Sequence, residues 1–315
     1  MVTSKEKNFI SCVIYLHNEE NTAAGFLDKL CGVLKEYFEK YEIVCVNDGC
    51  MDQTVDRIKS FLAKEETSHV VSLINLSGYQ GVEAAMNAGR DLAVGDFIFE
   101  FDNCVKDFED SLIMEVYHKA LEGYDVAAAA PKKGVPFTSW LFYKVYNWDS
   151  HSRGKLRQER FRIVSRRAVN RVNQLNNSIP YRKALYMNCG LKTYTIAYNN
   201  KVLAHKSRNR EERGLRSVLA MDTIIIFTDI LEKVSMLLST VFLAVLLFIS
   251  GYLIHSFFSP LHPVEGWLSI MALMSFGFFM LFVMLTLIFK YLAVILNMQF
   301  RRQQYVIEGV EKLTK

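Results

Sequence analysis

Two long uncharged runs constrain this chain more than anything else in it. Val234–Ile254 and Gly266–Phe289 each exceed twenty residues without one Asp, Glu, Lys or Arg. A bilayer's hydrocarbon core is about 30 Å thick and a helix rises about 1.5 Å per residue, so about 20 apolar residues span it. Both runs are long enough. The connector His255–Glu265 is short and holds Pro260 and Pro263, which predicts a tight hairpin of two membrane spans. Neither run is expected to be a signal peptide, because both come late and no basic stretch leading into an apolar one opens the chain.

Cations flank the hairpin unevenly. Lys201, Lys206, Arg208, Arg210, Arg213, Arg216 and Lys233 precede it, Arg301 and Arg302 follow it, and the connector has neither Lys nor Arg. The positive-inside rule then predicts an integral membrane protein with two spans, both termini and the soluble domain being cytoplasmic. The six cysteines form no CxxC pair, as expected for reduced thiols in a reducing compartment. Ser217–Lys233 sets Asp222, Asp229 and Lys233 on one helical face, with Val218, Leu219, Ile225, Ile226 and Leu231 over much of the remainder. That pattern predicts an amphipathic interfacial helix against anionic lipid, a plain soluble helix being the alternative. Small residues within the spans leave room for a homo-oligomer.

The net charge of +4, with 51% hydrophobic and 22% charged residues, therefore averages two unlike parts. Nucleic acid is not an expected partner, since the cations track the membrane boundary without interleaved aromatics. Residues 1–207 alternate short apolar runs with amphipathic stretches. Strands are predicted at Phe9–Leu16, Glu42–Asn47, Val70–Leu76, Asp96–Asp102 and Tyr124–Ala130, and helices at Thr22–Lys40, Gln53–Lys64, Val82–Ala93 and Glu109–Leu121. Such alternation gives an α/β domain with a mostly parallel sheet covered on both faces. Ligands bind such sheets beyond the carboxyl ends of the strands. Those ends carry His17, Asn18, Glu19 and Glu20; Asn47, Asp48 and Gly49; Ser77, Gly78 and Tyr79; and Asp102 with Asn103. No Walker loop, GxGxxG, HExxH or GxSxG occurs, and the histidines form no i, i+4 ligand pair.

Five segments, in order and spacing, resemble the family 2 glycosyltransferases of the GT-A fold. Val13–Thr22 (VIYLHNEENT) is similar to Val-x-Tyr-Asn-Glu-Glu, and Cys45–Thr54 (CVNDGCMDQT) to Val-Asp-Asp-Gly-Ser-x-Asp-x-Thr. Leu76–Gly89 (LSGYQGVEAAMNAG) is similar to Leu-Ser-Arg-Asn-x-Gly-Lys-x-Ala-Ala-x-x-Ala-Gly. Gly95–Asp110 (GDFIFEFDNCVKDFED) resembles the Asp-Ala-Asp-Leu-Gln-Asp segment, and Arg160–Val169 (RFRIVSRRAV) the Gly-Asp-Phe-Arg-Leu-x-Ser-Arg-Arg segment. With the Arg-rich stretch and two spans that follow, the layout resembles the polyprenyl-phosphate glycosyltransferases, of the dolichol-phosphate mannose synthase and bactoprenol glucosyltransferase kind.

The resemblance implies a Rossmann-like GT-A domain (1–207), a basic amphipathic juxtamembrane segment (208–233), a two-span hairpin (234–289) and a cytoplasmic tail (290–315). It implies inverting transfer of a hexose from a nucleotide diphosphate sugar to a polyprenyl phosphate in the bilayer. Asn18, Glu19, Asp48, Gly49, Ser77 and Asp102 would bind the nucleotide sugar. Asp102, Glu159 and Arg160 would be catalytic, and Asp102 would hold Mg²⁺ or Mn²⁺ on the diphosphate. Arg162, Arg208, Arg210 and Arg213 would clamp the lipid phosphate, because guanidinium groups bind phosphate in a bidentate manner; Arg162 and Arg166 serve equally well as ion-pair partners. Glu19 and Glu20 equally suit the start of a helix.

The chain departs from the pattern at the donor site. Asn47 replaces an Asp, Gly78 and Val82 replace an Arg and a Lys, Cys104 replaces the second Asp of Asp-x-Asp, and Arg160 replaces the Asp of Gly-Asp-Phe-Arg. Three accounts follow. Asp102 with Asp107 or Glu100 holds the ion; or Lys106 and Arg160 neutralise the diphosphate without metal; or the chain is an inactive homologue that binds lipid or a partner.

Overall fold

The computed structural model of the chain describes residues 5–63, 69–134, 136–149, 155–174, 181–188, 190–200, 210–258, 266–300 and 305–314. Two compact units emerge: Met1–Ala220 with Arg301–Lys315, and Met221–Phe300.

The first unit is built on one eight-stranded sheet of order β7-β5-β6-β4-β1-β2-β3-β8. Its expected strands form as β1 (Ile10–Leu16), β2 (Tyr41–Asn47), β3 (Val70–Leu76), β4 (Phe97–Phe101) and β5 (Val126–Pro131). Helices α1 (Ala23–Tyr37), α2 (Thr54–Leu62), α3 (Val82–Leu92) and α4 (Ser111–Leu121) connect them. The first four strands are mutually parallel, with Val13 opposite Val44 and Glu100. Alternate residues feed opposite faces, as a strand's period of two requires. Ile10, Cys12, Ile14 and Leu16 join Phe26, Leu30 and Leu34 of α1 in one core, while Val13, Val44 and Val46 meet Ala85, Met86 and Ala88 of α3 in the other. Helix α1 buries Ala23, Phe26, Leu27, Leu30, Cys31 and Leu34, a stripe at helical spacing. It ends where Phe38 turns extended and its N–H donates to the Leu34 carbonyl.

The elements between β5 and the juxtamembrane helix were not expected from the sequence. Helix α5 (Phe137–Asp149), strand β6 (Phe161–Ser165), helices α6 (Arg166–Gln174) and α7 (Arg182–Asn188) and strand β7 (Thr193–Tyr198) complete this side. Strand β6 inserts between β4 and β5 and runs antiparallel to both, which makes the sheet mixed. Its register places Arg162 directly opposite Glu100. The five described cysteines, Cys12, Cys31, Cys45, Cys50 and Cys104, are all free.

The expected tail 290–315 is not a tail throughout. Residues 290–300 continue a helix, and Ile307–Lys312 form β8, antiparallel to β3. The reason is backbone pairing: β3 is otherwise an edge whose N–H and C=O groups lack partners. Flanking bonds reinforce it. Leu313 N–H donates to Val71 O (2.8 Å), Val71 N–H to Thr314 Oγ1 (2.9 Å), and Lys59 pairs with Glu311 at 2.6 Å.

The second unit comprises the end of α8 (Arg210–Phe227), then α9 (Ile230–Phe258) and α10 (Trp267–Phe300). Helices α9 and α10 are long and apolar enough to cross a membrane. Of their most apolar windows, 0% and 6% of residues are buried, unlike the core helix of a soluble domain. They pack antiparallel: Ser235 Oγ donates to Met284 Sδ (3.3 Å), and Phe242 packs on Phe276 and Gly277. The α9 helix begins four residues before the expected span, and α10 runs past Phe289.

Gly89 of α3 rests on β1 and β2. A Cβ there would overlap a γ-methyl of Val13 and lie 2.8 Å from Val46 Cγ2. Helix propensity alone would favour Gly89→Ala by about 1 kcal/mol, yet over-packing costs about 1–3 kcal/mol. The clash is expected to win, so the variant melts at a lower temperature than wild type; an unchanged or raised melting temperature would show that the two strands yield.

Candidate active site at the strand ends

The loops after β1, β2 and β3 are bound to one another. Asp48, fully buried, accepts from Gln80 N–H (2.6 Å), Gly81 N–H (2.9 Å) and the Tyr15 hydroxyl (2.9 Å). Burial raises its carboxyl and these three bonds only partly offset that. Gly49 has φ +64°, and a Cβ there would meet Tyr79 N at 2.8 Å, so the two loops touch only because Gly is present. Asn18, itself at φ 52°, accepts from Met51 N–H (2.9 Å). The His17 ring packs at a tilt against Tyr79, centroids 4.5 Å apart. Ser77 is exposed beside them, and its N–H donates to Val306 O at 3.1 Å. Asn47 Nδ2 donates to Asn75 Oδ1 (2.9 Å), and Asn75 Nδ2 to Glu311 Oε1 (2.8 Å).

Asn18, Gly49 and Ser77 are thus brought together around the strand ends. Asp48 belongs to the same place, but both of its oxygens hold the 77–81 loop. Glu19 is likewise buried and accepts from the Thr22 hydroxyl (2.6 Å) at the start of α1. Against the sequence expectation that these two carboxylates bind nucleotide, both oxygens of Asp48 and Oε2 of Glu19 already have donors within the chain.

Beside these loops lies a buried charge cluster on the α3 side of β4. Alternation along β4 sends Phe99 and Phe101 to one core and leaves Glu100 and Asp102 on the opposite face. Arg162 donates to Glu159 (2.7 Å), Glu100 (2.7 Å) and Asp102 Oδ2 (3.1 Å). Arg182 donates to Glu83 (2.9 Å), Glu100 (2.7 Å) and Asp102 Oδ1 (2.9 Å). Lys183 pairs with Asp102 Oδ2 at 3.3 Å, and the Tyr186 hydroxyl donates to Glu100 Oε1 at 2.7 Å. Burial alone would raise both acids. Arg182, Arg162 and Arg90 more than reverse this for Glu100, and Arg162, Lys183 and Arg182 hold Asp102 well below the usual carboxylate range.

Several sequence expectations change here. Arg162 is completely buried and grips three acids, so it is not available to a lipid phosphate. Glu159 serves Arg162. Arg160 forms a bidentate pair with Asp107, which also accepts from Tyr198, and Lys106 pairs with Asp110. Neither cation is at Asp102. Arg166 donates to the carbonyls of Ala93 and Gly95, a structural use. Arg208 lies outside the described residues; Arg210 and Arg213 lie on the backbone of α8. Glu83, Arg182, Lys183 and Tyr186 were missed. Only the period-two pattern of FEFD and FRIV could have paired Glu100 with Arg162; nothing marked Arg182 or Lys183.

The residues do not suit a divalent ion. Mg²⁺ and Mn²⁺ take oxygen ligands, at least one or two of them carboxylates. Both oxygens of Asp102 are occupied by cations, and the second carboxylate position is Cys104, whose Sγ donates to Tyr15 O at 3.8 Å. No group of three or more His, Cys, Asp or Glu placed to hold a metal occurs among the described residues.

Comparison with known proteins agrees with the fold. The profile of "Glycosyl transferase family 2" matches residues 11–179, over half of the chain. An uncharacterized glycosyltransferase of Synechocystis sp. is 29% identical over 198 residues, 61% of each chain. The undecaprenyl-phosphate 4-deoxy-4-formamido-L-arabinose transferase of Proteus mirabilis is 30% identical over 126 residues, 40% of this chain and 38% of that one. The chain thus spans about three fifths or less of the length of these relatives. Among solved structures, glucosyl-3-phosphoglycerate synthase of Mycobacterium tuberculosis with Mn²⁺, UDP-glucose and phosphoglyceric acid aligns at TM-score 0.52 with 14% identity, covering 69% of this chain and 79% of that one. A Pyrobaculum calidifontis mannosyltransferase with GDP-mannose and Mn²⁺ aligns at 0.50 with 13% identity, covering 70% and 63%. These two likenesses concern the fold alone. The chain belongs to glycosyl transferase family 2 and has its GT-A fold.

The cluster fixes an acid limit. Glu100 and Asp102 titrate lower in the folded than in the unfolded chain, where carboxyls titrate near about 4. Their contribution is therefore fully present above that range and lost as pH falls through the folded values. Melting temperature is expected to hold down to about pH 5 and to fall below about pH 4. Arg162→Met leaves Glu159 without its ion-pair partner and takes one of two guanidinium groups from Glu100 and Asp102, so it should cost about 3–5 kcal/mol and move the acid transition to higher pH. A variant as stable as wild type at neutral pH, with an unmoved transition, would contradict this account.

Proposed function

We propose that this family 2 transferase moves a hexose from a nucleotide diphosphate sugar onto the phosphate of a polyprenol, with inversion at the sugar carbon. The observation that carries this reading is the junction of Asn18, Gly49 and Ser77 at the strand ends with the Asp102 cluster. It is joined in one chain to two helices able to cross a bilayer. A relative that acts on undecaprenyl phosphate supports the acceptor class.

The chemistry suits such an acceptor. A lipid phosphate is already anionic, so one of its oxygens attacks the anomeric carbon without a general base. The bond from that carbon to the diphosphate breaks, and its electron pair leaves on the diphosphate oxygen. A site for this step has to position two anions rather than remove a proton. That requirement fits carboxylates locked in ion pairs, as Glu159 and Asp102 are, better than it fits a poised base. Asn18, Gly49 and Ser77 would contact the nucleotide, with Asp48 and Glu19 holding their loops. Arg208, Arg210 and Arg213 would meet the lipid phosphate on the cytoplasmic side.

The test uses full-length protein in lipid nanodiscs with undecaprenyl phosphate and a panel of UDP-, GDP-, dTDP- and CDP-sugars. Lipid-linked sugar is the expected product. Asp102→Asn is expected to lower its rate by about a hundredfold while remaining folded by thermal melting. No product and no nucleotide binding across the panel would overturn the reading in favour of a lipid- or partner-binding homologue.

A further inference from the structure

We propose that the donor diphosphate is neutralised in this protein by an amino-acid cation, Lys183, and that no divalent ion takes part. This rests on the transferase reading above and concerns the same site.

Charge comes first. Asp102 ends β4 and meets three cations at once: Arg182 at 2.9 Å, Arg162 at 3.1 Å and Lys183 at 3.3 Å. An Mg²⁺ or Mn²⁺ bound to Asp102 at about 2.0–2.2 Å would sit among three positive groups already satisfied by the same carboxylate. The neighbouring acids are engaged as well. Glu100 lies between Arg162 and Arg182, Glu83 is held by Arg182, Glu159 by Arg162, and Asp107 by Arg160. With Cys104 where a second carboxylate would stand, an ion has one contested oxygen ligand in place of two free ones.

The three cations differ in how firmly they are held. Arg162 and Arg182 each bridge three carboxylates, with side chains 1% exposed. They are fixed parts of the wall. Among the described residues, the one ion pair of Lys183 is with Asp102, at 3.3 Å, against about 2.7–2.9 Å for a strong charge-assisted bond. Its side chain is 9% exposed and that of Asp102 is 14% exposed, so this pair is the outermost edge of the cluster. A lysine ammonium on a flexible four-carbon stem can turn to an entering phosphate, while the two arginines keep both oxygens of Asp102 hydrogen-bonded. Lys183 is then the group that meets charge developing on the leaving diphosphate oxygen as the sugar bond breaks. No proton is transferred and no ion enters.

Full-length protein in nanodiscs gives the test. Bound Mn²⁺ is read by electron paramagnetic resonance, alone and with UDP or GDP. Binding of UDP, GDP, dTDP, CDP and ADP is read by calorimetry in chelator and in Mn²⁺. The expected result is no bound Mn²⁺ and the same nucleotide affinity in both media. Lys183→Gln should weaken that affinity about tenfold to a hundredfold with its melting temperature retained, and Lys183→Arg should recover most of it. Stoichiometric Mn²⁺, or binding that vanishes in chelator, would overturn the proposal and leave the transferase standing. Wild-type affinity in a folded Lys183→Gln would overturn the assignment to Lys183. Failure of every nucleotide in both media would overturn this proposal and the function together.

Discussion

Glu100 is the group on which the rest of the site depends. Its carboxylate is wholly removed from water, and each oxygen is engaged: Oε1 by Tyr186, Oε2 by both Arg162 and Arg182. A lone buried carboxylate would cost many kcal/mol or stay protonated. Only two guanidinium groups brought from separate elements make it tolerable. Those elements are β6 and α7, and the same guanidinium groups reach Glu83 on α3 and Asp102 at the strand end. The network is therefore worth little as a sum of attractions and much as a constraint. It stabilises one register of β6 against β4 and one placement of α7, because any other leaves a buried charge without a partner.

That rigid half is matched by a second one made of loops. Asp48 gathers Gln80, Gly81 and Tyr15, and Gly49 permits the close approach of Tyr79. The Gln80 side-chain amide exchanges two bonds with the backbone of Val306, each 2.8 Å. In consequence the segment leading into β8 is tied to the loop that borders the strand ends. Polar side chains left over from this tying, among them Ser77, form the surface a ligand would meet. Residues that hold the loops and residues that face the ligand are different sets, although both are polar and both lie at strand ends.

That difference marks how far the sequence could be read. Strands β1 to β5 were legible because each is a short apolar run bounded by turn residues, and their mostly parallel direction followed from intervening helices. β6 was not, since FRIVS puts an arginine in the middle of a buried strand, and only a carboxylate on the neighbouring strand makes that acceptable. β8 reads IEGVEK, which has the polarity of a solvated tail; its strand state comes from the unpaired edge of β3, a tertiary cause. At the site, motif position singled out Asp102 as a metal and donor ligand, and the structure places it among three cations. It said nothing of Arg182 or Lys183, because their role arises from where α7 docks. Asp48, Glu19 and Arg162 were placed in the right neighbourhood, yet bury their charges within the protein.

The departures from the family pattern are coherent once the charges are counted by place. Loss of a carboxylate at Cys104 removes negative charge at the motif that would hold an ion. Lys183 and Arg182 pair with the acid that remains there, Asp102. Loss of cations at Gly78 and Val82 removes positive charge from the third loop. Both oxygens of Glu100 and both of Asp102 are engaged, and the residue at the missing carboxylate is a buried thiol bonded to a backbone carbonyl. Under the proposed role of Lys183, one lysine beside a braced acid serves where the cations at Gly78 and Val82 and an ion are lacking. Under the proposal above, the anion such a site would select is one met by a single lysine at the edge of a hydrogen-bonded cluster, as a diphosphate leaving group would be.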